Sequence, residues 1–161
     1  MPSPGPQYAR IVDSDRWLSD DQQAAWRRLA AVIMRLPAAL DTQLHSESGL
    51  SHFEYLVLAL LSEAGPERAL RSSVLAERCN VSLSRLSHGL TRMEQRGWVT
   101  RRHDPDDGRV SVAVLTDAGH AKLTEAAPGH VETVRALVFD HLSDRQVQSL
   151  RALCDALLDD A

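Results

Sequence analysis

The sequence predicts a mainly α protein with one small β-hairpin, and three stretches predict it. Leu83, Leu86, Leu90 and Met93 recur at gaps of three and four, so residues 82–95 read as a helix with one narrow apolar stripe. Its other face carries Ser84, Arg85, Ser87, His88, Thr91, Arg92 and Gln95, hydroxyls, guanidiniums and amides suited to phosphate oxygens and base edges. Ser82 fits the N-cap and Gly97 the C-terminal stop. A shorter helix, roughly Ser73 to Cys79, precedes it. Ala76 is small enough for a close crossing, and Asn80 tolerates the left-handed backbone of a tight turn. Finally, the β-prone runs Trp98–Arg102 and Val110–Leu115 bracket a polar turn, His103 to Arg109, with Pro105 and Asp107-Gly108 inside it. Two short helices and a basic-tipped hairpin make a winged helix-turn-helix, which longer helices flank on both sides.

The flanking elements follow from local signals. Ser19-Asp20-Asp21-Gln22 is a capping box, opening a helix whose stripe is Trp26, Leu29, Ile33, Leu36, Leu40 and Leu44. Pro37 should kink this helix without ending it, because the stripe stays in phase, and Gly49 should close it. A second capping box, Ser51-His52-Phe53-Glu54, opens a helix apolar on most sides and therefore central to the core. Ala64 to Arg68 is a turn, and Ala69 to Arg71 adds a short strand to the hairpin's sheet. Thr116 caps a long helix with Leu123, Ala127, Val131, Val134 and Val138 in register, bent at Pro128-Gly129. Ser143 to Gln146 is a third capping box, before a helix edged by Val147, Leu150, Cys154 and Leu157. The terminal helices have more apolar stripe than one winged unit can cover, which points to a second copy of the chain as partner.

Composition bounds the function. With 161 residues, 43% of them hydrophobic, one domain with a real core is expected. No apolar run approaches a membrane span, so no membrane partner is expected. Residues 1–16, beginning Met1-Pro2-Ser3-Pro4, lack a signal region and read as a disordered lead-in. Cys79 and Cys154 have no metal-finger spacing and suit a reducing cytoplasm; both fall on stripes that read as buried and inert. The net charge of −4 hides an uneven distribution. Residues 71–109 hold eight Arg against five Asp or Glu, a balance of +3, while the remainder holds ten basic against seventeen acidic, a balance of −7. A local basic patch, not the whole-chain charge, sets the footprint on a nucleic acid. The seven histidines show no convergent ligand spacing, so no metal or other cofactor is implied. No nucleophile–base pair or phosphate-cradling glycine loop is present either, and an enzyme is not expected.

Leu75-Ala76, Ser84 to Leu86, Arg92-Met93-Glu94, Arg96-Gly97-Trp98-Val99, Arg101-Arg102, Asp104 to Arg109 and Leu115 to Gly119, in this order and spacing, resemble the MarR (multiple antibiotic resistance regulator) family of winged-helix transcription factors. The resemblance runs from about Trp17 onward, and the Arg85 to His88 run and Trp-rich start look like an actinobacterial branch. It implies a homodimer joined through its terminal helices, acting as a repressor on double-stranded DNA. Residues 17–48 and 117–161 would form the dimerisation region and 49–116 the DNA-binding domain. It also implies a small aromatic or anionic effector held where dimer helices meet the winged unit. Trp26, His45, Phe53 and Tyr55, which combine apolar bulk with polar tips, are the candidates, though each serves equally well as an ordinary core aromatic.

For DNA, Ser84, Arg85, Ser87, His88 and Arg92 are the groove residues, and Ser72, Ser73 and Ser82 suit phosphates at helix starts. Arg109 at the wing tip is placed for a minor groove, and the resemblance implies that Asp107 orients it there; the bland alternative is a tip charge paired with Asp107 alone. Arg101 and Arg102 alternate faces of a strand, so at most one can meet a given backbone. The rival reading is a dimeric ligand-binding or interaction module without DNA binding.

Overall fold

The computed structural model describes residues 17–104 and 107–158. The lead-in expected over 1–16 lies outside them. The first helix, α1 (Asp20–Ser48), is continuous through Pro37. The chain divides there into two compact units, one ending at Leu36 and the other beginning at Pro37. In the first unit, Gln22 Oε1 accepts from Ser19 N at 2.9 Å while Gln22 N donates to Ser19 Oγ at 3.2 Å, the reciprocal capping box read from the sequence. Of the stripe it begins, Trp26, Leu29 and Ile33 are exposed and Leu36 is half-buried; Val32 and Met34 beside it are exposed too.

The second unit opens with the end of α1, where Leu40 and Leu44 are buried. Gly49, at φ +64°, ends the helix, and its N–H donates to His45 O while Leu50 N donates back to Leu44 O. Ser51 and Glu54 then cap α2 (His52–Ser62) reciprocally, as expected. Val57, Leu58 and Leu61 of α2 are fully buried and form the middle of the core with Leu75, Leu86, Leu90 and Met93. The short strand β1 (Ala69–Arg71) leads into α3 (Ser72–Arg78) and then α4 (Leu83–Gln95). Asn80 between them takes φ +51°, the left-handed turn anticipated for it.

Strands β2 (Val99–His103) and β3 (Ser111–Leu115) form the wing, and the sheet order is β1-β3-β2, all antiparallel. Thr116 Oγ1 accepts from Gly119 N at 3.0 Å and starts α5 (Asp117–Leu137), which runs on through Pro128. A 3-10 turn at Phe139–His141, unforeseen in the sequence, precedes α6 (Asp144–Leu158).

Three expectations need correction. Leu83 leaves the apolar stripe of α4: it is 56% exposed, because it occupies the first turn beyond the reach of the core. On α5 the buried residues are Gly119 and Ala126, neither of them on the expected stripe, whereas Val131 of that stripe is exposed. On α6 no residue is buried, so Cys154 is exposed rather than packed inside, in contrast to Cys79. Among the described residues no helix is long and apolar enough to cross a membrane.

Candidate nucleic-acid interface

The site is built on α4. Ser82 Oγ accepts from Arg85 N at 3.2 Å and fixes the start of the helix. Arg96 C-caps it and Gly97, at φ +74°, turns the chain out toward the wing. Leu86, Leu90 and Met93 point into the core, which sets the rotation of the helix about its own axis. Gly89 leaves room for a neighbour: a Cβ there would lie 2.4 Å from Phe53 Cε1, so a larger residue would require the Phe53 ring to move. The sequence reading passed over Gly89, although a glycine inside a helical stripe is a recognisable packing signal.

With that rotation fixed, the polar side of α4 separates into two edges. Ser84, Arg85, His88 and Arg92 are exposed and line an open groove of about 590 Å³ with Asp41, Ser51, Phe53, Ser82 and Gly89. The groove brings two arginines and a histidine to one wall, so its chemistry favours anions. On the other edge Ser87, Thr91 and Glu94 face β2. Arg101 of β2 donates from Nε to Glu94 Oε2 at 2.8 Å, from Nη2 to the same oxygen and to Thr91 Oγ1 at 3.0 Å, and from Nη1 to Ser87 Oγ at 3.3 Å. Arg102 turns to the opposite side and pairs with Glu67 at 2.6 Å, as strand alternation requires.

The wing is anchored at its root and open at its tip. Asp104 is buried, its Oδ2 accepts from Arg71 Nε at 2.9 Å, and its N–H donates to Val110 O. Arg109 exposes 94% of its side chain. Its N–H donates to Asp107 Oδ1 at 3.0 Å and its Nε stands 3.5 Å from the same atom. Asp107 therefore restrains the backbone of the tip while the guanidinium extends into solvent.

The helix-start serines separate. Ser73 is exposed, whereas the Ser72 hydroxyl is buried and finds no hydrogen-bond partner among the described residues. The effector candidates separate too. Phe53 lines the groove beside α4, and Tyr55 packs on His130 of α5 at 4.1 Å between ring centroids. His45 and Trp26 are exposed on α1. Burial, and then the neighbouring Glu63, pushes the Tyr55 hydroxyl above its ordinary pKa. Burial also pushes the Cys79 thiol up, so it stays protonated and unreactive.

Residues 48–110 match the MarR family. The transcriptional regulator PecS of Dickeya dadantii is 32% identical over 125 residues, covering 78% of this chain and 74% of that protein. The transcriptional repressor YetL of Bacillus subtilis is 31% identical over 107 residues; the match covers 66% of this chain and 64% of YetL, just under two thirds. Among solved structures, Sco3205 of Streptomyces coelicolor, a MarR family transcriptional regulator crystallised in complex with DNA, superposes with a TM-score of 0.86 at 39% identity, covering 90% of this chain and 91% of that one.

Proposed function

Because the chain belongs to the MarR family of transcriptional regulators, we propose that it is a homodimeric repressor reading a pseudo-palindromic operator. In this reading α4 enters a major groove and presents Ser84, Arg85, His88 and Arg92 to base edges and phosphates. The wing tip carries Arg109 into the adjoining minor groove. One observation supports it above the rest: the exposed polar edge of α4 and the extended, Asp107-restrained Arg109 belong to one unit with a common core. A solvated surface helix would not need a rigidly rooted basic hairpin beside it.

Residues 49–116 serve as the DNA-binding domain and 17–48 with 117–161 as the dimerisation region. The exposed apolar side chains of α1 before Pro37, and separately those of α6, support that division. Two copies would set half-sites one helical turn, roughly 10 bp, apart. The DNA complex of Sco3205 supports the partner, and its Streptomyces source supports an actinobacterial-type regulator; the name of YetL supports repression. A small anionic or aromatic effector would act by favouring a dimer whose two α4 helices are wrongly spaced. Such a regulator works where the chromosome is, in the cytoplasm.

The test is selection of duplexes from a random library by the purified chain, followed by titration at several salt concentrations. A palindromic consensus and a steep inverse dependence of affinity on salt are expected. Binding without sequence preference, or none at all, would instead favour a dimeric ligand-binding or interaction module.

A further inference from the structure

We infer that Arg101 is a positioning residue for DNA binding, a clamp that makes the wing and α4 one rigid reading head. This rests on the DNA-binding reading above. An exposed ion pair by itself contributes little. The geometry here is of another kind. One planar guanidinium spends Nε, Nη1 and Nη2 on Ser87, Thr91 and Glu94, residues on successive turns along one edge of α4. A rigid fork engaging three points on a helix fixes both its roll and its distance, which a single contact cannot do. Thr91 is held in turn, its Oγ1 donating to Ser87 O at 3.0 Å.

The far side of the hairpin is tied down independently. Arg71 reaches the buried Asp104 at the wing root, and β1 pairs with β3 through Ala69 to Arg71. Beyond the core packing of Val99 and Leu115, Arg101 joins β2 directly to the outer edge of α4 and so helps to hold the hairpin's orientation toward it. That orientation decides whether Arg109 reaches a minor groove while Arg85 and Arg92 occupy the major groove. The clamp also reassigns Ser87. Its hydroxyl accepts from Arg101, so it belongs to the clamp, and base reading falls to the opposite edge of α4.

The test is a double-mutant cycle on the affinity of the full-length chain for a duplex enriched by the wild-type chain. Arg109→Ala should weaken wild-type binding by about fivefold to a hundredfold. In an Arg101→Met background the same change should cost less than about threefold, because an unclamped wing no longer delivers Arg109. Equal costs in both backgrounds would overturn the clamp. Glu94→Ala supplies an arm that does not depend on Arg101→Met folding. Removing a negative charge from a DNA-facing surface should by simple electrostatics tighten binding, whereas loss of the clamp weakens it. Tighter binding by Glu94→Ala, with an unchanged melting temperature, would overturn the inference. If Arg109→Ala leaves wild-type affinity untouched, the DNA reading of the wing itself is wrong, and the clamp falls with it.

Discussion

Arg109 and Asp107 show how a residue can matter to function without mattering to the fold. Among the described residues Arg109 pairs with one carboxylate, that of Asp107, and 94% of its side chain faces solvent. Removing it should therefore leave the melting temperature unchanged. Arg109→Ala should nevertheless cost about 1–3 kcal/mol of operator binding and reduce the slope of affinity against salt by about one ion. Parallel melting and titration curves check this, and a melting loss that accounts for the weaker binding would contradict it. His130 is the converse case. It lies between Tyr55 and His52, with its Nδ1 buried and without a hydrogen-bond partner among the described residues. Burial, and then the charge of His52, hold its pKa below the ordinary histidine value of 6.5. A depressed histidine favours the neutral form in the folded state. Its contribution is complete above the unfolded pKa, near 6.5, and drains away as pH falls through that value toward the folded pKa. Melting temperature should fall on acidification from neutrality, and His130→Phe should flatten that fall. An identical slope in the variant would clear His130 of the effect.

At the scale of elements, α4 depends on a buried edge it shares with α2 and α3. Leu90 is almost completely buried in that edge, so Leu90→Ala should destabilise the chain by about 2–5 kcal/mol, measured by denaturant unfolding. Leu83→Ala, one turn from the same core but exposed, should cost far less. A similar loss for both would mean that Leu83 is covered in solution. This contrast also marks where sequence reasoning reaches. Helix starts were readable because their physics is local: Ser51 with Glu54, Ser82 with Arg85 and Thr116 with Gly119 each close a bond across three residues. Asn80 was readable because few side chains accept its backbone angle. Leu83 fits the periodicity of α4 as well as Leu86 does, and only the position of neighbouring elements separates them. The pairs Arg71–Asp104, 33 residues apart, and Gly89–Phe53 follow from tertiary packing, so no window of sequence contains them. Arg101 lies between: Ser87, Thr91 and Glu94 at gaps of four and three mark one helix edge, but what faces that edge is known only once the hairpin folds back.

For the whole molecule, the unburied faces matter more than the buried ones. On α6, Leu150, Leu153 and Leu157 are exposed together with Cys154, at the three- and four-residue gaps of a single stripe, and Leu153 and Leu157 each show 63% of their surface. Exposed leucines at that spacing cost solubility unless another surface covers them, and a second copy of the chain is the partner that the proposed dimer supplies. Replacing both Leu153 and Leu157 by Asp would place two charges in that contact, where no counter-charge is provided for them. Three readouts should then move together. Sedimentation should show the dimer giving way to a species of half the mass. Affinity for a full operator should fall by about 10²–10⁴, the advantage of engaging two half-sites through one assembly. Cys154, shielded in the dimer, should react with a thiol reagent faster in the variant, while Cys79 stays inert in both because its thiol is buried and protonated. The cysteine arm separates dissociation from unfolding, since unfolding would expose both thiols at once. A variant that remains dimeric, with Cys154 reacting at the same rate as before, would remove α6 from the interface and require the two reading heads to be joined elsewhere.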